Sequence, residues 1–230
     1  MKTKFGMGRV PSPFDSRDFN LGAFIPKGAL ALGLIRQRNW SFPAPEPLDQ
    51  EETQHCVGFS IADFGINLPT YTKYTNEDGH QFYRLCKIED GDPQGEGGSN
   101  LRSAAKVMKS LKRIDNFAFA STLAQVKYWL LYRGPLIAGT VWTVNMFYPN
   151  GNNIINVGGE VVGGHAYLLN EWTKEGYIGI QNSWGNRWGI KGKAYISSVE
   201  FEKLLRQGGE VVTSVELTAQ GFPKITRFPL

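Results

Sequence analysis

The 230-residue sequence predicts an α+β protein in two unlike parts, a helix-rich region followed by a strand-rich one. Three observations predict it. Apolar residues recur at helical spacing ahead of Pro135, short β-prone runs split by glycine-rich turns follow it, and no internal repeat or low-complexity tract interrupts either part. The apolar fraction of 41% and aromatic fraction of 13% belong to a chain that can bury a core, which excludes disorder over most of its length.

Residues 1–48 read as an irregular N-terminal extended arm. SPFDSRDF leads into a Gly-, Ala- and Leu-rich patch and then FPAPEP, whose prolines forbid a helix and favour an extended path over the surface. From Cys56 to Leu68, CVGFSIADFGINL carries Val57, Phe59, Ile61, Phe64 and Leu68 among small residues, the density of a buried helix that Pro69 stops. The polar stretch NEDGHQ around His80 reads as a loop. LRSAAKVMKSLK places apolar side chains at 101, 104, 105, 108 and 111, which predicts an amphipathic helix over 101–112. A third helix is expected at 122–133, closed by Gly134-Pro135. The expected strands are LIAGTVW, HAYLLNEW, GYIGIQNSW, KAYIS and EVVTSVELT.

The charge balance narrows the function classes. A formal +4, from 25 basic and 21 acidic residues scattered along the chain, gives no block for nucleic acid to recognise, and no nucleic-acid partner is expected. No apolar run approaches the roughly 18 residues of a membrane span, and no apolar stretch follows the basic start MKTKFGMGRVPSPFD. The expectation is a cytoplasmic chain without signal peptide or membrane partner. Two cysteines, Cys56 and Cys86, exclude a disulfide framework, and Cys86 in FYRLCKIED reads as a core residue.

Cys56 is the chemically suggestive one. A thiol attacks as thiolate, and a cysteine in the first turn of a helix, beside an imidazole that takes its proton, is expected to have a lowered pKa. Of the three histidines, His55 adjoins Cys56 but would point about 100° away on a helix, and His80 sits in the expected loop. His165 lies near the start of an apolar strand, in GGHAYLLNEW. Asn182, in QNSWGNRWG after another strand, offers a carboxamide oxygen that could hold one imidazole nitrogen without adding charge, and Trp184 could shield that bond.

DQEETQHCVGFS, GGHAYLLNEW and QNSWGNRWGIKGKAYIS, in that order, resemble the Cys, His and Asn blocks of the papain-like cysteine peptidases, QNSWGNRWG most specifically. The resemblance runs from about Gln50 to the C-terminus, and SPFDSRDF is similar to the family's N-terminal mature segment. It implies a papain-like two-subdomain fold. A helical subdomain, 49–115, would carry the nucleophile; a β-barrel-like one, 116–230, would carry His and Asn; the active site would lie in the cleft between them. It also implies hydrolysis of peptide bonds through a thioester acyl-enzyme, on a peptide or protein substrate, with no cofactor or metal. The same machinery could serve an amidase or transpeptidase acting on cell-wall or other amides, or survive in a non-catalytic peptide-binding relative.

By the resemblance Cys56 matches the nucleophile, His165 the general base and acid, Asn182 the orienting residue and Gln50 an oxyanion-hole donor beside the Cys56 N–H. Trp184 matches the tryptophan over the His–Asn contact. Gly97 and Gly98 match the pair that binds substrate backbone like an added strand. Ala166 and Gly139 match positions lining the pocket for the second residue upstream of the cut, where small side chains would leave room for a bulky apolar or aromatic group. The departures are His55 and Val57 flanking the nucleophile, and Thr53 and Gly95 where many relatives place a disulfide. The 109-residue gap from Cys56 to His165 (165 − 56 = 109) implies trimmed loops. The 48 or so residues before Gln50 match an arm with an insertion rather than a pro-region, as in compact prokaryotic and phage relatives.

Overall fold

Side-chain caps start four of the five α-helices in the computed structural model, which describes residues 5–31, 36–43, 46–221 and 223–224. These elements are, in chain order, β1 (Phe19–Asn20), β2 (Arg38–Asn39), α1 (Cys56–Ile66), α2 (Asn76–Glu89), α3 (Leu101–Ser110), β3 (Asn116–Ala120), α4 (Leu123–Tyr132) and β4 (Leu136–Thr143). They continue as β5 (Val161–Trp172), β6 (Tyr177–Gln181), β7 (Lys193–Ser197), α5 (Ser198–Arg206) and β8 (Glu210–Val215). Thr75 and Asp78 form a reciprocal capping box at α2, while Asn100, Thr122 and Ser197 each accept a backbone N–H in the first turn of α3, α4 and α5. Only α1 begins without a side-chain cap.

The strands form one sheet in the order β1-β3-β8-β4-β5-β6-β7, with β2 pairing β5. Its centre is covered on both faces. Leu136, Ala138, Tyr167 and Leu169 join a strand-side core with Trp142, Trp184 and Trp188, whereas the alternating Ile137, Ala166, Leu168 and Val212 join a second core with α1 and α3. Every residue of α1 is buried, so this helix serves as the hub of the second core. A fully buried aromatic such as Phe59 contributes on the order of 1.5–3 kcal/mol through removal from water.

Several expectations change. NEDGHQ is not a loop: Thr75 and Asp78 cap it, and it forms the first half of α2, whose Phe82, Tyr83 and Cys86 turn inward. The capping residues are polar, which made a helix start look like a connection. Helix α1 ends at Ile66 rather than Leu68, and α3 at Ser110 rather than 112. Strand β3 and helix α5 have no counterpart in the sequence reading. The N-terminal arm is woven in rather than laid over the surface, because β1 and β2 add to the sheet and Leu21, Phe24, Ile25 and Trp40 enter the strand-side core. Part of its Gly-, Ala- and Leu-rich patch (32–35) and of FPAPEP (44–45) lies outside the described residues.

Candidate active site

Cys56 is the first residue of α1, and with no side-chain cap the first-turn N–H groups remain available to its sulfur. The backbone N–H groups of Ala166, Val57 and Cys56 itself favour its thiolate form. Ala166 belongs to β5, so the sulfur meets the sheet one residue beyond His165.

On that strand His165 is fully buried. Its Nε2 lies 2.8 Å from the Asn182 side-chain oxygen, which also accepts the Ser183 N–H at 2.8 Å. The Ser183 N–H can only donate, which identifies that atom as the carbonyl oxygen, so Nε2 carries the imidazole proton and Nδ1 is the free base. Nδ1 is buried and makes no hydrogen bond, to the sulfur or to any other group among the described residues. The Trp184 ring stacks on the imidazole with centroids 4.4 Å apart, and Trp142 meets it edge-on at 5.0 Å. The carboxamide contact therefore sits in a dry aromatic enclosure.

Gln50 bridges the two walls. Its Oε1 accepts from Ser183 Oγ at 2.8 Å, while its Nε2 donates to Thr53 O at 2.7 Å and Gly6 O at 3.2 Å. The other histidines stand apart: His55 and His80 share a 2.7 Å hydrogen bond between their Nδ1 atoms, and His55 stacks on Tyr83. Cys86 is buried in the second core.

Residues 5–10 of the arm run through the cleft. Gly8 N and Arg9 N donate to Gly164 O (3.1 and 3.0 Å) on one side; on the other, Ser99 N donates to Gly8 O and Val10 N to Ser99 O, both at 2.8 Å. The Gly6 carbonyl takes a further bond from Trp184 Nε1 at 2.9 Å. The approach is so close that a Cβ on Gly8 would lie 2.2 Å from Gln54 O, and one on Gly98 would lie 1.7 Å from Gly8 O. Of the expected glycine pair, Gly98 thus faces the arm, whereas Gly97 has open space at its Cα and accepts from Tyr83 Oη. Ser99 and Gly164, which supply the actual backbone pairing, were missed by sequence reasoning; adjacency to Gly98 and His165 was their only signal.

This enclosure reverses the expected electrostatics. Burial pushes the Cys56 thiol up to about 12, against the pull of the Ala166, Val57 and Cys56 N–H groups and of Arg9, and it pushes His165 down to about 4 despite the Asn182 bond. The expected thiolate is replaced by a neutral thiol and a neutral imidazole. Neither charged form has water to solvate it while the cleft is filled. The space beside Gly139 holds Leu101 and Arg9 of the chain itself.

No protein-family model matches the sequence, and no curated protein does. Solved structures do. Xylellain, a cysteine protease from Xylella fastidiosa, superposes with a TM-score of 0.68 at 16% identity, over 93% of this chain and 97% of that one. Procathepsin B S9 from Trypanosoma congolense gives 0.64 at 12% identity over 96% and 87%. The digestive procathepsin L 3 of Tenebrio molitor larval midgut gives 0.59 at 14% over 92% and 76%. The chain therefore has the papain-like α+β fold.

Proposed function

We propose that the chain is a cysteine peptidase in which Cys56 is the nucleophile, His165 the general base and acid, Asn182 the residue that orients the imidazole and Gln50 an oxyanion donor. The observation that carries this reading is the Asn182-held, Trp184-covered imidazole, with its free nitrogen one residue from the strand position whose N–H reaches the Cys56 sulfur. Asn182 sets the tautomer that leaves Nδ1 able to accept a proton. With a peptide in place of the arm, Nδ1 takes the thiol proton as sulfur attacks the scissile carbonyl carbon. The carbonyl π electrons move to oxygen, which accepts hydrogen bonds from Gln50 Nε2 and the Cys56 N–H. Collapse expels the amine, protonated by the His165 imidazolium. Water, deprotonated by the neutral imidazole, then attacks the thioester and releases the carboxylic acid and the free thiol.

An epoxide inhibitor directed at cysteine peptidases, followed by peptide mapping, is expected to modify Cys56 in a one-to-one ratio. A peptide-library digest is expected to yield products with the wild-type chain and none with Cys56→Ala. Modification confined to Cys86, or equal cleavage by both chains, would overturn the assignment.

A further inference from the structure

Helices α1 and α2 touch backbone to backbone. A Cβ on Gly58 of α1 would lie 2.4 Å from Gly79 O of α2, and one on Gly79 would lie 2.8 Å from the Phe59 ring, so this approach requires glycine at both positions. The contact brings His55, the residue that precedes α1, against His80 of α2. Their Nδ1 atoms stand 2.7 Å apart, with the ring planes at 80°. Nitrogens this close cannot both carry protons, so a lone pair already faces the gap. Both rings are held: His55 stacks on Tyr83 with centroids 3.7 Å apart, and His80 meets Phe59 edge-on at 4.9 Å. The His55 side chain makes no capping bond to α1, and both histidines are half-buried, within reach of solvent. The proposed mechanism uses neither of them.

We propose that these two Nδ1 atoms form a binding site for a divalent transition-metal ion, Cu²⁺ ahead of Ni²⁺ and Zn²⁺, which bridges the start of α1 to α2 next to Cys56. Neutral imidazole is a favoured ligand of these ions, and two rings already gathered by packed helices leave little ordering to oppose binding. The spacing selects within the group. With metal–nitrogen bonds of about 2.0 Å, neighbouring ligands lie about 2.8 Å apart around a square plane and about 3.3 Å apart around a tetrahedron. The observed separation matches the square plane. Cu²⁺ or Ni²⁺ therefore needs only a swing of each ring about its Cβ–Cγ bond, whereas Zn²⁺ also needs the rings to part. Glu77, one turn before His80, interacts with it electrostatically and pairs at 3.2 Å with Arg84, whose charge opposes a cation at His55. Among the described residues no third His, Cys, Asp or Glu completes a cluster, so water fills the remaining positions of a bound ion. The inference goes beyond the peptidase reading and does not depend on it.

The test uses the full chain without an affinity tag, carrying Cys56→Ala to remove the reactive thiol. Cu²⁺, Ni²⁺ and Zn²⁺ are titrated separately by calorimetry at pH 7 in a weakly coordinating buffer. One Cu²⁺ per chain is expected, with Kd about 100 µM or below and Zn²⁺ at least about tenfold weaker. His55→Ala and His80→Ala should each weaken Cu²⁺ about tenfold or more, and the electron paramagnetic resonance spectrum should lose one of its two ring-nitrogen couplings. Saturating Ni²⁺ should raise Tm by about 5 °C or more, and only where both histidines are present. Adding His165→Gln should leave Cu²⁺ affinity unchanged. Circular dichroism confirms folding, and His80→Gln, closer in size to the original, repeats the measurement if His80→Ala unfolds. No ion held more tightly than about 1 mM, Cu²⁺ binding indifferent to both His55 and His80 or abolished by His165→Gln, or Zn²⁺ held more tightly than Cu²⁺ would overturn the inference. The peptidase reading is tested separately, by the labelling of Cys56.

Discussion

The two walls of the cleft hold Cys56 and His165, the proposed nucleophile and base, by different means. On the helical wall, α1 lacks the side-chain cap that starts each of the other described α-helices, and the Val57 and Cys56 N–H groups of its first turn draw the thiol's pKa down against burial. On the strand wall, a chain of side chains does the work: Asn182 fixes the imidazole, Trp184 encloses it, and Ser183 carries the network to Gln50. The helical wall's donors are main-chain and survive most substitutions. The strand wall depends on particular side chains, each of which can be removed. Damage should therefore be graded along the strand wall and its extension to Gln50.

Beyond loss of the sulfur or of the His165 imidazole, the largest effect should come from Gln50→Ala. On the proposed mechanism it removes an oxyanion donor and leaves the Cys56 N–H alone, so kcat should fall about 10²–10³-fold with KM little changed. A fall in KM-dependent terms alone would mean that Gln50 only positions the loop.

Acid should expose the strand wall next. The folded His165 resists protonation down to about 4 against an ordinary 6.5, so between these values the unfolded chain binds the proton first. Stability is full above pH 6.5 and falls as pH drops towards 4, by roughly 3 kcal/mol from this group. Urea titrations at stepped pH should show the loss, and His165→Gln should make it shallower. An equal slope in that variant would place the proton elsewhere, as on the half-buried His55, which burial and its neighbour His80 also hold down at about 4.

Asn182→Ala should cost about 10–100-fold in kcat/KM, because Nε2 loses its acceptor and the wrong tautomer becomes available. An Asp at the same position should recover part of the loss and move the acid limb of the pH profile upward. The smallest effect belongs to His80→Ala, whose ring meets His55 and Phe59 rather than the sulfur; kcat/KM should stay within about twofold. A loss matching that of His165→Ala would mean that the reactive imidazole has been misassigned.

The ranking shows how much was legible beforehand. Cys56 was legible at an expected helix start, and His165 and Asn182 beside expected strands, but their grouping, and Gln50 altogether, came only from the resemblance to the papain-like Cys, His and Asn blocks. The strands β4 and β7 were legible from local pattern. Helix α2 was not, because its capping box is made of polar residues that also build turns, and its apolar face begins only at Phe82. The protonation states were illegible too. A helix N-terminus argues for a thiolate, but burial outweighs that dipole once the arm covers the site.

The amino-acid order by itself determined the α+β division and the helix that starts at Cys56, since these follow from spacings of a few residues. Only the tertiary structure decided that residues 5–10 fill the cleft and that Glu210, Gly139 and Ala166 share one row beneath Arg9. Arg9 and Glu210 are 201 positions apart, and no local rule couples residues so distant. Their meeting depends on sheet register, which is set by how all the strands pack at once.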